Sequence, residues 1–310
     1  MPINYMLLSR ACMAESFSSP GIDLPSPTLS ARLGELAVFL AAPTAGRLTE
    51  EQRALSLGIA RRLVAAVADE LDPGIDGDAL WRDWLAAGVP AAERLTTVCF
   101  ARAEEHRWRE YSAQRVTTPI PLEGVEEEAP VASDIPSDID RAYLALQIAD
   151  RRRFDSYGNP CVAPADVDTG LFRALLLDIA AWRLARVAKD GKLAADLGEA
   201  VRAATEGRDA GAGIDRAAKA YHDLLAGQGK LADAATAAIT RHDWVTVIAL
   251  SAVAARRPYV DTALALLSAE AAVLPFLLAP LKLDRAALAP LEASLALLPG
   301  RAVSGGAGDG

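Results

Sequence analysis

The run ADRRRFDSYGNPC, Ala149 to Cys161, gathers most of what this chain can offer an anion. Arg151, Arg152 and Arg153 stand in succession, followed by Phe154, Tyr157 and an Asn159-Pro160 pair. A guanidinium presents a fixed fork of donors that matches carboxylate or phosphate. The segment holds no nucleophile paired with a base, so its chemistry would be binding. Two readings compete. As the end of a helix, the three arginines complement the negative pole of the dipole by about 0.3–1 kcal/mol each. Gly158 then takes a positive φ, Asn159-Pro160 resets the chain, Phe154 and Tyr157 pin the turn to the core, and Asp150 and Asp155 offset part of the charge. As a docking surface, Arg151, Arg152, Arg153, Phe154 and Tyr157 would meet an acidic peptide, a phosphate or an acidic stretch of the same chain.

Other candidate chemistry is thinner. His106 in RAEEHRWREY (Arg102 to Tyr111) could suggest phosphorelay, but no phosphotransfer motif surrounds it, and Glu105–Arg109 and Glu104–Arg107 have the spacing of exposed helical ion pairs. Cys99 and His106 could share a helix face, but two ligands do not make a zinc site, and His222 and His242 have no partner pattern. The three cysteines, Cys12, Cys99 and Cys161, form no CxxC pair and read as reduced thiols. GRDAGAG (Gly207 to Gly213) lacks the Gly-Lys-Ser/Thr of a phosphate loop, and no nucleophile-elbow GxSxG is present. Trp81, Trp84, Trp108, Trp182 and Trp244 fall on helix faces and read as packing residues. No catalytic residue, metal or cofactor is expected.

The elements that must position these residues are helices. Hydrophobic content is 52% with aromatics at only 5%, so the apolar material is mostly Ala and Leu, both strong helix formers. In LTEEQ, Thr49 and Gln52 form a capping box; Leu55, Ile59, Leu63, Val67 and Leu71 then recur every four residues along a helix of about 23 residues. A short helix (78–87) and a third ending near Ser112 follow. Leu171, Leu175, Ile179 and Trp182 mark another, with Asp166 or Asp168 as its cap. Further helices are expected over 192–207, 214–226, 230–241, 244–255, 259–268, 270–280 and 284–297. From 230 onward they start about 14 residues apart, a weak repeat of the α-solenoid kind. Residues 117–140 carry four prolines and many acids with no Lys or Arg, which reads as a solvated linker. The expected architecture is all-α and helical-repeat: an N-terminal helical unit (1–115), an acidic linker (116–137), a C-terminal helical-repeat domain (138–299) and a flexible tail (300–310).

A net charge of −9 disfavours nucleic acid as a partner. Tyr5 to Leu8 is too short an apolar run for a secretory leader. Ala263 to Leu281 has the length to span a bilayer but carries Glu270, Pro275 and Pro280, so a buried helical pair is expected in its place. The chain reads as cytoplasmic.

Three stretches together carry a family resemblance: LTEEQRALSLGIARRLVAAV, LQIADRRRFDSYGNP leading into LLLDIAAWRL, and ITRHDWVTVIALSAVAARRPYVDTALALLSAEA. Over residues 40 to 298 the chain resembles the bacterial helical, HEAT-like family called domain of unknown function 2336. In that family a small or basic-Gly pair usually precedes the Asp-Trp position; Arg241-His242 stands there in this sequence. The resemblance implies helical repeats and a bacterial origin, and brings no reaction, cofactor or catalytic residue. The expectation is a non-enzymatic interaction module that binds a protein or peptide as scaffold or regulator, with the acidic linker as a possible intramolecular ligand of Arg151–Arg153. A peripheral membrane protein and an enzyme with an unrecognised site are the alternatives.

Overall fold

The computed structural model describes residues 32–34, 36–37, 48–116, 136–187, 191–208 and 213–301. The acidic stretch up to residue 135, the tail from 302, and Cys12 lie outside the described residues. The regular elements are helices: α1 (Glu50–Leu71), α2 (Gly77–Ala87), α3 (Ala92–Val116), α4 (Asp138–Arg151), α5 (Thr169–Ala185), α6 (Gly191–Glu206), α7 (Ile214–Gly227), α8 (Leu231–Thr240), α9 (Trp244–Ala254), α10 (Tyr259–Ser268), α11 (Leu274–Leu278) and α12 (Ala289–Ala296). Short 3-10 turns occupy Pro164–Asp166, Ala279–Leu281 and Arg285–Leu288. The only β-type pairing among the described residues is an isolated bridge, Phe154 with Pro160.

Local chemistry explains the boundaries. The expected capping box opens α1: Gln52 N donates to Thr49 Oγ1 at 3.2 Å and Thr49 N donates to Gln52 Oε1 at 3.0 Å. Ser137 and Asp140 build a second box at the start of α4. Asp76, Asp168 and Asp243 cap α2, α5 and α9; such caps stabilise by about 1 kcal/mol each. Asp166, the other candidate for α5, instead accepts from Ile214 N at 2.7 Å, and so serves the first turn of α7. The helix expected over 270–280 shortens to α11 and a 3-10 turn, where Pro275 and Pro280 remove backbone donors.

Three successive helices end alike. Gly229, His242 and Arg256 adopt φ of 69°, 58° and 54°. The next residue in each case closes a six-residue turn at 2.9 Å: Lys230 N to Leu225 O, Asp243 N to Ala238 O, and Arg257 N to Ala252 O. These are Schellman endings.

The apolar side chains form three clusters. One joins Ile59, Leu63 and Val67 of α1 to Trp81 and Trp84, to Leu95 and Cys99 of α3, and to faces of α5 and α6. The largest joins Trp108 of α3 to Leu146 of α4 and to α7–α12. A small third one brings Phe100 and Ala101 of α3 against Leu36, Leu48 and Leu264. α3 therefore contributes to all three. α5 and α6 follow the acidic stretch in sequence yet pack on α1, so core membership does not follow chain order across residues 116–137. α9 is buried continuously from Trp244 to Ala252, as a central helix must be when it is apolar on every side. Trp108 and Trp244 stack there at 4.5 Å and 18°.

Among the described residues no helix is long and apolar enough to cross a membrane. Ala263–Leu281 divides between α10, a turn, α11 and a 3-10 turn; Leu264, Leu266, Leu267, Leu274, Leu278 and Leu281 are buried in the protein.

Candidate functional site

α4 ends at Arg151, and the chain doubles back over Arg153–Cys161. Cys161 N donates to Arg153 O and Asp155 N to Asn159 O, both at 2.9 Å. Asp155 organises the turn from within, since its carboxylate accepts from Tyr157 N at 2.9 Å, Asn159 N at 2.8 Å and Asn159 Nδ2 at 2.9 Å. Gly158 takes φ 83°, a conformation glycine adopts without the clash a Cβ would bring. Arg62 holds the returning strand by donating to Pro160 O through Nε at 3.0 Å and Nη2 at 2.6 Å.

This geometry sorts the five candidate residues. Arg151 and Arg152 are exposed, and neither makes an ion pair with the described residues. Arg153 turns inward and is buried, so it cannot greet an external anion. Phe154 is half-buried under two guanidiniums, with Arg102 at 4.6 Å and Arg109 at 5.2 Å from its ring centre. Tyr157 is 90% exposed and pins nothing; the turn is held by Asp155 and Arg62 instead.

Arg153 enters an ionic knot between the clusters. Its Nη1 and Nη2 donate to the two oxygens of Glu105 at 3.0 and 2.6 Å. Tyr259 O–H donates to Glu105 Oε1 at 3.0 Å, and its ring lies 4.7 Å under the Arg153 guanidinium. Arg109 Nη1 reaches both oxygens of Asp150 at 2.9 and 3.0 Å. Arg102 donates to Cys161 O at 3.2 Å and Arg153 O at 3.0 Å. Asp166 stands 3.8 Å from Arg153 Nε. Three cations, Arg102, Arg109 and Arg153, are thus set among Glu105, Asp150 and Asp166.

The electrostatics follow from burial and sign. Burial alone would raise the Glu105 carboxyl, but Arg153, Arg102 and Arg109 outweigh it and hold the group at about 2. Burial, with Arg153 close by, lowers Arg102 to about 10, which leaves it charged at neutral pH. Burial also lowers His106, whose ring meets the Phe154 ring edge-on at 6.2 Å. The knot admits no substrate, because the cavity at its centre has a volume of about 10 Å³.

A second buried group ties down the chain's later part. Arg107 donates to Glu104 at 2.7 Å, Glu51 at 2.8 Å and Pro299 O at 2.9 Å, while Gln52 donates to Glu104 at 3.1 Å. Glu104, Glu105 and Arg107 are therefore buried and Arg109 is half-buried, where the spacing of Glu104–Arg107 and Glu105–Arg109 alone had suggested exposed pairs; Arg102 is buried beside them. The physical reason is the position of α3 among all three clusters. A signal existed: Leu95 and Cys99 begin a face that Arg102, Glu105 and Arg109 continue at helical spacing. Ions carried inside on such a face must come as compensated sets, because an unpaired buried charge is strongly destabilising.

Among the described residues no group of three or more His, Cys, Asp or Glu side chains is placed to hold a metal ion. Comparison with models of protein families, with curated proteins and with solved structures returns no match.

Proposed function

We propose that this chain is a non-enzymatic interaction module, and that the outward stripe of α4 is where an acidic partner peptide docks. One observation carries the reading. Leu144 and Ile148, one turn apart, are 58% and 48% exposed. Arg141, paired with Asp138, lies one turn before them, and Arg151 and Arg152, which make no ion pair among the described residues, lie just beyond. A protein of net charge −9 here presents apolar side chains flanked by cations. That pattern suits an amphipathic segment with Leu-like anchors and carboxylates at its ends.

The repeated endings at Gly229, His242 and Arg256, spaced 13 and then 14 residues apart, support reading α7–α12 as a short helical repeat that displays α4 on its flank. They also support kinship with the resembled family, because position 242 belongs to the pair before Asp-Trp, where that family usually shows small or basic-Gly residues, and is left-handed here. A cytoplasmic setting belongs to the same proposal.

The test is a quantitative pull-down with the wild-type chain, L144E/I148E and R151E/R152E. All changes are on the surface, so melting temperatures should stay within a degree or two. A partner held by the wild type and lost from both variants supports the surface. A set of captured proteins unchanged by either variant refutes it.

A further inference from the structure

At the centre of the ionic knot three polar atoms have no hydrogen-bond partner among the described residues: Arg102 Nη1, Arg153 Nε and Asp166 Oδ2. All three side chains are more than nine-tenths buried. Their nearest opposite charges lie beyond hydrogen-bond reach, with Arg102 Nη1 3.6 Å from Glu105 Oε1 and Arg153 Nε 3.8 Å from Asp166 Oδ2. All three residues line one cavity of about 10 Å³, walled also by the carboxylates Glu105 and Asp215 and by Ala101, Tyr259 and Ala263. A buried polar atom left unpaired costs about 1–3 kcal/mol, more when charged. Three around one void is a constellation that a folded protein does not leave unanswered.

We infer that this cavity is a binding site for a single water molecule, coordinated by Arg102, Arg153 and Asp166. The volume admits one such molecule, at the lower limit of what a water needs. The polarity fits it as well. The residues that line it offer two unpartnered N–H donors and one unpartnered carboxylate oxygen, and a water oxygen can accept twice and donate in return. A halide would face Asp166, Glu105 and Asp215, which all line the cavity; a cation would face two guanidiniums. Atoms 3.8 Å apart can both lie at hydrogen-bond distance from one oxygen placed to their side. The site joins the loop after α4, the 3-10 turn that bears Asp166, and α3, so the bound water would be a further member of the knot and not a passing solvent molecule.

A crystal structure at a resolution that places waters decides the point. The expected result is one oxygen peak within hydrogen-bond distance of Arg102 Nη1, Arg153 Nε and Asp166 Oδ2. An anomalous peak at the site after a bromide soak would make it an anion site and overturn the proposal, as would no peak at all. Ala263→Val extends a methyl group toward the same space. If a water is bound, the variant loses the peak and melts several degrees lower, because the polar atoms lose their partner. If the space is a dry void, filling it leaves the melting temperature unchanged or raised, and the proposal fails. Should the variant not fold, the wild-type crystal structure still decides, by the presence or absence of that one oxygen peak.

Discussion

Replacing Glu105 by Gln removes one negative charge from the knot and keeps its shape. Two buried guanidiniums are affected most: Arg153, which loses its bidentate partner at 3.0 and 2.6 Å, and Arg102, whose Nη1 faces Glu105 at 3.6 Å. The balance shifts from three against three to three cations against two carboxylates, of which Arg109 alone is partly open to solvent. Breaking a buried pair from one side costs about 3–5 kcal/mol, because the remaining ion stays desolvated. The titration gives a matching figure. A carboxyl held at about 2 against an ordinary 4.5 reports about 3 kcal/mol favouring its charged form. For a chain of this size roughly 2 °C accompanies each kcal/mol, so E105Q should melt about 6–10 °C lower, as read by circular dichroism at pH 7. The sign in pH follows. A carboxyl whose folded value is depressed contributes fully above its unfolded value, and the contribution fades as pH falls from about 5 toward 2. Wild type should lose more stability than E105Q across that window, and the two melting curves should converge. The double replacement E105L/R153M takes out a cation with the anion, and should be less damaged than E105Q. A melting temperature for E105Q within about 2 °C of wild type, or a double variant worse than the single, would show that Glu105 does not anchor the knot.

Other perturbations bear on separate parts of the fold. Arg256→Gly relieves a left-handed backbone at φ 54° that costs a side-chain-bearing residue about 1–2 kcal/mol, partly offset by glycine's looser unfolded chain; a net gain of about 0.5–1 kcal/mol should appear in urea denaturation, and a loss would count against the Schellman account. Trp108→Phe removes the hydrogen bond from Nε1 to Ser294 Oγ at 3.0 Å and weakens the stack on Trp244, so roughly 2 kcal/mol should be lost in the same assay. Cys99 is buried and its thiol is pushed far up by that burial; it should resist Ellman's reagent in native buffer and react in guanidinium, and rapid native labelling, located by peptide mass mapping, would contradict its place in the core.

The helices were legible in the sequence because they rest on local signals. The Thr49–Gln52 box, the four-residue spacing from Leu55 to Leu71 and the Asp243 cap all act within a turn or two of themselves. The site was only half legible. Arg151–Arg153 read as one cluster, yet the turn that Asp155 and Gly158 impose sends Arg153 inward while Arg151 and Arg152 stay in water. Glu105 and Tyr259 are separated by 154 residues along the chain, and no periodicity links them. The same holds for Asp166, which looked like a cap for the helix that follows it and instead serves one 48 residues on. The exposure of Tyr157 had no local sign at all.

α3 lends side chains to every apolar cluster, and α5 and α6, beyond the acidic stretch, close over α1. A protease nick anywhere between residues 117 and 135 would therefore break a covalent bond without releasing either piece. The two fragments would travel together through a sizing column and come apart only in denaturant. Made separately, they should find each other and rebuild the whole, as the halves of a split reporter do.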